Sequence, residues 1–238
     1  MQSSDFSTII AATPEQRLAT MVELTRVARR LSLLGQHSLW PALQGDDFGR
    51  HIAKLWTGQD FTPGGDEMTW IQDSLGLAQQ LHPIFEKADI PYFVTGGVAS
   101  AAWGEPRTTR DLDVVVIVGA NRQRLSEALE LAGFLIAGLE SDTIQITHQV
   151  EITTADLIVL SGGSAWEKEQ FKRRISLGGI WFASPEVTIL SKLRWADSEK
   201  QRQDIQGILK TAPVDRQYLK RWAKKLGLEQ RLQNMLLT

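Results

Sequence analysis

Two aspartates separated by one residue are the first feature of this chain that points to chemistry. Asp111 and Asp113 open an apolar run, residues 111–118, which predicts a buried strand. Alternate side chains of a strand lie on one face, so the two carboxylates are expected on the same side, about 7 Å apart along the chain. Two anions held together repel unless a cation lies between them. Oxygen ligands of this kind suit Mg²⁺ or Mn²⁺, which bind one or two carboxylates together with substrate phosphates.

A pair of glycines supplies a second part of the same candidate site. Gly96 and Gly97 separate a short strand, predicted over 91–94, from a helix of small residues, predicted over 98–103. Glycines at such a junction let the backbone approach a ligand closely, and the first N–H groups of a helix attract anions. A triphosphate could lie at this turn with its metal on the aspartates. The spacing matches neither the phosphate loop of the common ATPases nor the dinucleotide-binding fingerprint.

These segments together resemble the polymerase-β-like nucleotidyltransferase superfamily, in particular the small bacterial members related to abortive-infection toxin nucleotidyltransferases. The residues that carry the resemblance are Gly96, Gly97, Arg107, Thr109, Asp111 and Asp113. It extends to residues 155–158, where Asp156 matches the third carboxylate of the family, and to segments of the C-terminal region. It covers roughly residues 85–230 and leaves the first 80 residues unassigned.

The resemblance implies a mixed sheet with Asp111 and Asp113 on one strand and Asp156 on a neighbour. It implies that these three carboxylates are catalytic and hold two divalent ions, Mg²⁺ or Mn²⁺. Members transfer a nucleoside monophosphate from an NTP to a hydroxyl group and release pyrophosphate. The residues that it assigns to nucleotide binding are Thr95, Gly96, Gly97, Arg107, Thr109 and Lys192. Many members have Gly-Ser in place of Gly96-Gly97, so a hydroxyl contact to a phosphate is missing here.

Several of these residues also have a plain structural interpretation. Glu151 is an alternative third ligand, although it is expected in a turn, and Arg107 could pair with Glu105 instead of a phosphate. Lys192 could lie on a solvated helix face, as could the basic side chains Lys168, Lys172, Arg173 and Arg174. A catalytically inactive module that keeps this fold to bind a nucleotide or a protein is the alternative function.

The elements that must position these residues form three predicted regions. Residues 1–80 are expected to be helical, residues 81–183 to form the nucleotidyltransferase core, and residues 184–238 to be helical again. Within the first region, a capping box at Thr13 begins a helix that Gly35 is expected to end. A loose segment, 38–65, and a helix over 67–87 that bends or restarts near Pro83 follow. The order of helices, then mixed strands and helices, then helices again predicts an α+β core with helical flanks.

Composition limits the remaining possibilities. The 238 residues include no cysteine, which excludes disulfides, thiolate metal sites and cysteine nucleophiles. No apolar run approaches the ~20 residues of a membrane helix, and the first residues lack the pattern of a secretion signal, so a cytoplasmic protein is expected. Residues 192–231 contain 11 basic and 5 acidic residues, which favours RNA among the acceptors. A tRNA end, a protein side chain and a small molecule all stay open as acceptors, and a homodimer or a separately encoded antitoxin as partners.

Overall fold

A mixed seven-stranded sheet forms the centre of the computed structural model, which describes residues 11–118, 122–195 and 198–236. The strands are β1 (Tyr92–Val94), β2 (Leu112–Ile117), β3 (Phe134–Ala137), β4 (Thr143–His148), β5 (Thr153–Leu160), β6 (Ile175–Leu177) and β7 (Ile180–Phe182). They are arranged in the order β3-β4-β5-β2-β1-β7-β6, with the β2–β5 and β1–β7 pairs parallel and the others antiparallel. The predicted α+β fold with a mixed sheet is confirmed.

Eleven helices lie within the described residues. They are α1 (Pro14–Leu39), α2 (Gly45–Thr57), α3 (Glu67–Trp70), α4 (Ser74–Lys87), α5 (Gly96–Trp103), α6 (Arg122–Leu131), α7 (Ala165–Lys172), α8 (Pro185–Trp195), α9 (Glu199–Thr211), α10 (Arg216–Leu226) and α11 (Glu229–Leu236). Thr13 and Ser164 form the predicted capping boxes of α1 and α7, and Ser198 caps α9 as expected. Side chains thus accept hydrogen bonds from N–H groups that have no partner inside the helix.

The N-terminal helices differ from the prediction in their boundaries. Helix α1 continues through Gly35 to Leu39, because a helix can tolerate an interior glycine at a cost of about 1 kcal/mol. The segment expected to be loose contains α2, which has acidic residues in its first turn and ends at the left-handed Gly58. The expected restart of the helix near Pro83 is also wrong. Pro83 lies inside α4, and the break falls earlier, where the Asp73 carboxylate accepts hydrogen bonds from the first turn of α4.

Two strands of the sheet were not anticipated from the sequence. Strand β3 follows α6 directly and pairs with β4. A short apolar segment does not form a strand by itself, so its conformation depends on this pairing. Strand β6 forms a hairpin with β7 around Gly178 and Gly179, which both have positive φ. Each is a three- or four-residue edge segment whose conformation depends on its neighbour.

The buried side chains form two hydrophobic clusters. The larger cluster joins the sheet to α1, α4, α5 and the C-terminal helices and includes Met21, Leu81 and Phe182. The smaller cluster centres on Phe48 and Ile52 of α2. No helix among the described residues is long and apolar enough to cross a membrane. The division of the chain after residues 80 and 183 stays a prediction.

Candidate active site

A row of polar side chains crosses one face of the sheet where β2 and β5 begin. In the parallel β2–β5 pair Asp113 lies directly beside Asp156, and in the next pair Asp156 lies beside Gln145 of β4. Adjacent strands are about 4.8 Å apart and neighbouring residues in register share a face, so these side chains converge. The amide N–H of Thr95 donates to the Asp113 carbonyl at 2.9 Å, which places the start of α5 at the end of the row.

Asp111 precedes β2 by one residue and joins the same group. Its Oδ1 accepts a hydrogen bond from Thr154 Oγ1 at 3.0 Å, and Thr154 lies two residues before Asp156 on β5. The opposite face of these strands carries the buried residues Leu112, Val114 and Leu157, so the alternation places the apolar residues in the core and the carboxylates on the open face. The structure thus brings together the three aspartates that the sequence analysis selected.

Burial, together with repulsion among these carboxylates, raises two of their pKa values. The pKa of Asp113 is raised by burial and by the charges of Asp156 and Asp111, while the Gly97 N–H and Lys192 oppose the rise. The pKa of Asp156 is raised by burial and by the charge of Asp111, against a hydrogen bond from Gln145. Anionic groups held together in this way indicate a site that accepts a cation.

The donor set fits a hard divalent ion that is completed by its substrate. No group of three His, Asp or Glu side chains within the described ranges is arranged as a ready-made metal cage. Mg²⁺ commonly takes only one or two protein carboxylates, together with phosphate oxygens and water. Asp111, Asp113 and Asp156 supply such carboxylates on a partly exposed surface. The residues present therefore fit Mg²⁺ or Mn²⁺ held jointly with a phosphorylated ligand.

The glycine turn packs against the carboxylates more closely than any other residue type would allow. Gly96 has φ +59°, and a Cβ on it would lie 1.8 Å from Asp113 Oδ2. A Cβ on Gly97 would lie 2.8 Å from the Thr109 hydroxyl, which donates to the Asp111 carbonyl at 3.1 Å. Gly96 therefore leaves room for the side chain of Asp113, which is one of the candidate catalytic residues. Beside Gly97, the Thr109 hydroxyl occupies the space that a serine side chain would need.

Arg107 and Lys192 are held by one carboxylate, Asp204, which belongs to the C-terminal segments of the resemblance but to which the sequence analysis gave no role in the site. Asp204 of α9 accepts two hydrogen bonds from Arg107, at 2.9 and 2.8 Å, and one from Lys192 Nζ at 2.6 Å. Arg107 thus pairs with Asp204 and not with Glu105, which faces Lys210. Lys192 is buried, not solvated, and its pKa is lowered by burial although Asp204 and Asp113 oppose the change. Asp204 and Arg107 are 97 residues apart in the sequence, so no local pattern predicts that they pair.

Replacing Asp204 by asparagine should destabilise the chain and misplace both cations. Removal of one partner from a buried ion pair leaves an uncompensated charge, so we expect Asp204→Asn to lower the free energy of unfolding by about 3 kcal/mol. Burial opposes ionisation of Asp204, but the hydrogen bonds from Arg107 and Lys192 outweigh it and lower its pKa. The stabilisation is therefore present above the unfolded pKa of about 3.9 and disappears as pH falls through the folded value.

Urea unfolding at several pH values measures this effect. The matched control is Glu105→Gln, which removes an exposed and loose ion pair with Lys210 and should change stability by less than about 1 kcal/mol. A difference between the natural chain and Asp204→Asn that persists unchanged at pH 3 would contradict the assignment to the ionised carboxylate.

A narrow cleft runs from the carboxylates along α8. Its inner part, about 140 Å³, is lined by Thr95, Gly96, Asp113, Lys192 and other residues. Its outer part, about 400 Å³, continues over Ile158 and Leu160 to Trp166, Arg194 and Trp195. The inner part thus places the Lys192 cation and the Asp113 carboxylate beside the glycine turn, and the outer part presents the rings of Trp166 and Trp195, an arrangement suited to a phosphate chain attached to a ring.

Other candidates from the sequence lie outside this group. Glu151 is in the turn after β4, where it accepts a hydrogen bond from Gln80 at 2.7 Å and faces His148. Arg173 pairs with Glu186 at 3.4 Å and packs on the Tyr218 ring, and Arg174 packs on Trp181. These residues serve packing, so the basic face predicted on α7 is smaller than expected.

Comparisons with known proteins place this arrangement in context. No family model matches the chain, and no curated protein matches it in sequence. A solved structure of an antigenic nucleotidyltransferase-like protein from Paracoccidioides brasiliensis is 20% identical, with 69% of this chain and 92% of that chain covered and a TM-score of 0.46. The lincosamide antibiotic adenylyltransferase LnuA with lincomycin bound is 17% identical, with 57% and 94% covered and a TM-score of 0.44.

A third solved structure, ANT(2″)-Ia in complex with adenylyl-2″-tobramycin, is 15% identical, with 66% of this chain and 98% of that chain covered and a TM-score of 0.49. The family resemblance seen in the sequence implies two aspartates at the start of one strand and a third aspartate on the neighbouring strand. Both features are present, with Asp113 and Asp156 in register beside the Gly96 turn. The chain therefore has the predicted α+β fold with a mixed sheet, and its carboxylates and glycine turn lie where the resemblance implied.

Proposed function

We propose that this protein is a metal-dependent nucleotidyltransferase that moves a nucleoside monophosphate from an NTP to a hydroxyl acceptor. The observation that carries the proposal is the meeting of Asp111, Asp113 and Asp156 on one open face of the sheet, directly beside the Gly96 turn. Carboxylates that repel one another are costly to maintain, so an arrangement of this kind points to a cation-dependent function.

The three aspartates would hold Mg²⁺ or Mn²⁺ together with the triphosphate. When bound, the metal would supply positive charge that stabilises the phosphates and lowers the pKa of the acceptor hydroxyl. Asp156 would accept the proton of that hydroxyl, because it lies in register beside Asp113 on the open face of the sheet. Its orientation is fixed by Gln145 on the neighbouring strand.

The other residues of the cleft would bind and orient the triphosphate. Lys192 lies beside Asp113, and Arg107 is next to Gly97, so two cations flank the turn. Asp204 holds both side chains in place through hydrogen bonds, which reduces the reorganisation needed when phosphates bind. Backbone N–H groups at the start of α5 and the Thr95 region complete the polar surface.

Incubation with α-labelled NTPs tests the proposal. The natural chain would be incubated with each NTP, Mg²⁺ or Mn²⁺ and total RNA, beside the double variant Asp111→Ala/Asp113→Ala. The matched control is Asp46→Ala/Asp47→Ala, which also removes two adjacent carboxylates but from the exposed start of α2. Transfer of label by the natural chain and the control, and not by the Asp111/Asp113 variant, supports the proposal.

Two other results would argue against catalysis. Metal-dependent nucleotide binding without transfer to RNA, to protein or to small hydroxyl compounds would favour the inactive nucleotide-binding module. Neither binding nor transfer with any NTP would overturn the proposal. On the resemblance alone, the proposal extends to a cytoplasmic toxin with a separately encoded antitoxin. Growth arrest of bacteria that produce the natural chain, with normal growth on the double variant, would support that extension.

A further inference from the structure

Helix α1 has apolar side chains on two opposite faces. One face packs on the hydrophobic clusters of the chain, as an amphipathic surface helix does. The opposite face exposes four large apolar side chains by 43–64%: Leu24, Val27, Leu31 and Leu34. Single exposed leucines are ordinary in a folded protein, whereas a continuous apolar stripe marks a surface that contacts a partner.

The spacing of this stripe fits a second α-helix. Its four residues follow one another at intervals of three, four and three residues, which is the pattern of the seam in a pair of coiled helices. Ala28 and Gly35 lie along one edge of the stripe, and the position of Gly35 is unobstructed. Small residues at such an edge allow the axis of a second helix to come close.

The other edge of the stripe has two exposed residues of opposite charge, Glu23 and Arg30. Neither side chain forms an ion pair or hydrogen bond within the described part of the chain. They are seven residues apart, about 10.5 Å along the helix, which is too far for them to pair with each other. Two antiparallel copies of α1 related by a two-fold axis would place this edge of each helix beside the same edge of the other. Glu23 of each copy can then lie opposite Arg30 of the other, so the edge is complementary to itself.

A hollow beside the first half of α1 lies next to this stripe. Its volume is about 670 Å³, and the side chains that line it are mainly small and apolar, among them Ala11, Ala12, Ala19, Leu24 and Pro106. Leu24 belongs both to the hollow and to the stripe. The first half of the helix therefore offers a recess, whereas the second half presents the protruding side chains of Leu31 and Leu34, each 64% exposed.

One antiparallel register satisfies the charges and the recess together. The arrangement that places Glu23 opposite Arg30 also brings Leu34 level with Ala19 of the hollow, because both pairs are centred on the same point of α1. That point, between Arg26 and Val27, is also the middle of the 26-residue helix. The two helices would therefore overlap along their full length of about 39 Å.

We propose that two copies of this chain form a dimer through α1, antiparallel about a two-fold axis at the middle of the helix. Leu34 of each copy fills the hollow of the other, Leu24 lies near Leu31 of the second copy, and Glu23 pairs with Arg30 on both sides. The same surface is used by both copies, so the contact closes and does not extend into a filament.

Sedimentation velocity of the full chain tests the dimer. The natural chain should sediment with twice the mass of one chain. Leu34→Glu places a charge in the apolar hollow on both sides of the axis, so it should weaken association more than about 100-fold and give the mass of a single chain. The matched control is Leu131→Glu, the same change at an 88% exposed position at the end of α6, which should stay dimeric. Circular dichroism of both variants verifies that they fold.

Charge reversal tests the partner and its direction. Glu23→Arg and Arg30→Glu each place like charges opposite one another, so each variant alone should dimerise at least about tenfold more weakly. An equal mixture of the two variants should recover the dimer, because every facing pair then has opposite charges. Recovery requires an antiparallel contact between copies of this chain, since a parallel pair or a different protein partner would not bring these two positions together.

Three results would overturn the proposal. They are a natural chain that stays monomeric at every concentration, a dimer that Leu34→Glu leaves intact, and single reversals that the mixture does not rescue. A monomeric natural chain whose melting temperature falls in Leu34→Glu would show that another segment of the same chain covers the stripe. None of these measurements depends on nucleotidyl transfer, so the dimer and the proposed function are tested separately.

Discussion

The Asp113→Asn chain is expected to melt at a higher temperature than the natural chain in the absence of metal, while losing more than about 100-fold in transfer activity. The gain in stability follows from the burial of Asp113 and from its position beside Asp156 and close to Asp111. Burial and these two charges raise its pKa, so the ionised carboxylate is less favourable in the folded chain than in the unfolded chain. Asparagine removes the charge and keeps the shape.

The sign of the effect depends on pH. An acid whose pKa is raised by folding destabilises the folded state once the pH exceeds its unfolded pKa of about 3.9, and the penalty reaches its full size above the folded pKa. The advantage of Asp113→Asn should therefore be present at pH 7 and vanish near pH 3. Each kcal/mol corresponds to about 2–4 °C in melting temperature for a chain of this size.

The loss of activity is expected because asparagine lacks the negative charge with which Asp113 would bind the metal. Substitutions of residues that merely support metal ligands cost 10–100-fold, so loss of a ligand itself should cost more than about 100-fold. Thermal melts in a chelator and transfer assays with Mg²⁺ would be run on Asp113→Asn and on the matched control Asp142→Asn, an exposed turn residue. An Asp113→Asn chain that melts below the natural chain at pH 7 without metal would refute the explanation by burial and charge repulsion.

Much of this site could be predicted from local sequence because its main parts are local. Asp111 and Asp113 are two residues apart, and the glycine turn immediately follows β1, so strand alternation and turn chemistry suffice to select them. The capping boxes at Thr13 and Ser164 are likewise contained within four residues each. Features of this kind are specified by backbone geometry and short-range hydrogen bonds.

The remaining parts of the site depend on contacts between distant segments. Asp204 reaches Arg107 across 97 residues, and Gln59 of the loop after α2 lies 3.4 Å from Gln145 of β4 across 86 residues. Pro83 shows that a local rule can also predict a helix boundary that the folded chain does not have. Its helix continues because Leu81 and Phe85, on either side of it, are buried in the core, and that packing outweighs the usual effect of proline.

Replacement of Gly96 by alanine should have the second large effect, although it adds only one methyl group. Gly96 has φ +59°, which costs an alanine roughly 1–2 kcal/mol, and the new Cβ would lie 1.8 Å from Asp113 Oδ2. The neighbouring atom is the carboxylate of a proposed metal ligand, whose strand is locked between β1 and β5. The side chain of Asp113 must rotate or the turn must move, and either change disrupts the site.

We therefore expect Gly96→Ala to lower the free energy of unfolding by about 2–4 kcal/mol and transfer activity by more than about 100-fold. Two matched substitutions make the test specific. Gly35→Ala, at an unobstructed position inside α1, should stabilise the chain by about 0.5–1 kcal/mol and leave activity unchanged. Gly97→Ala should fall between them, because the Thr109 hydroxyl can move away from the new methyl group. Urea unfolding and transfer assays would decide. If Gly96→Ala behaved like Gly35→Ala, the close packing of the turn against Asp113 would not be a requirement of the site.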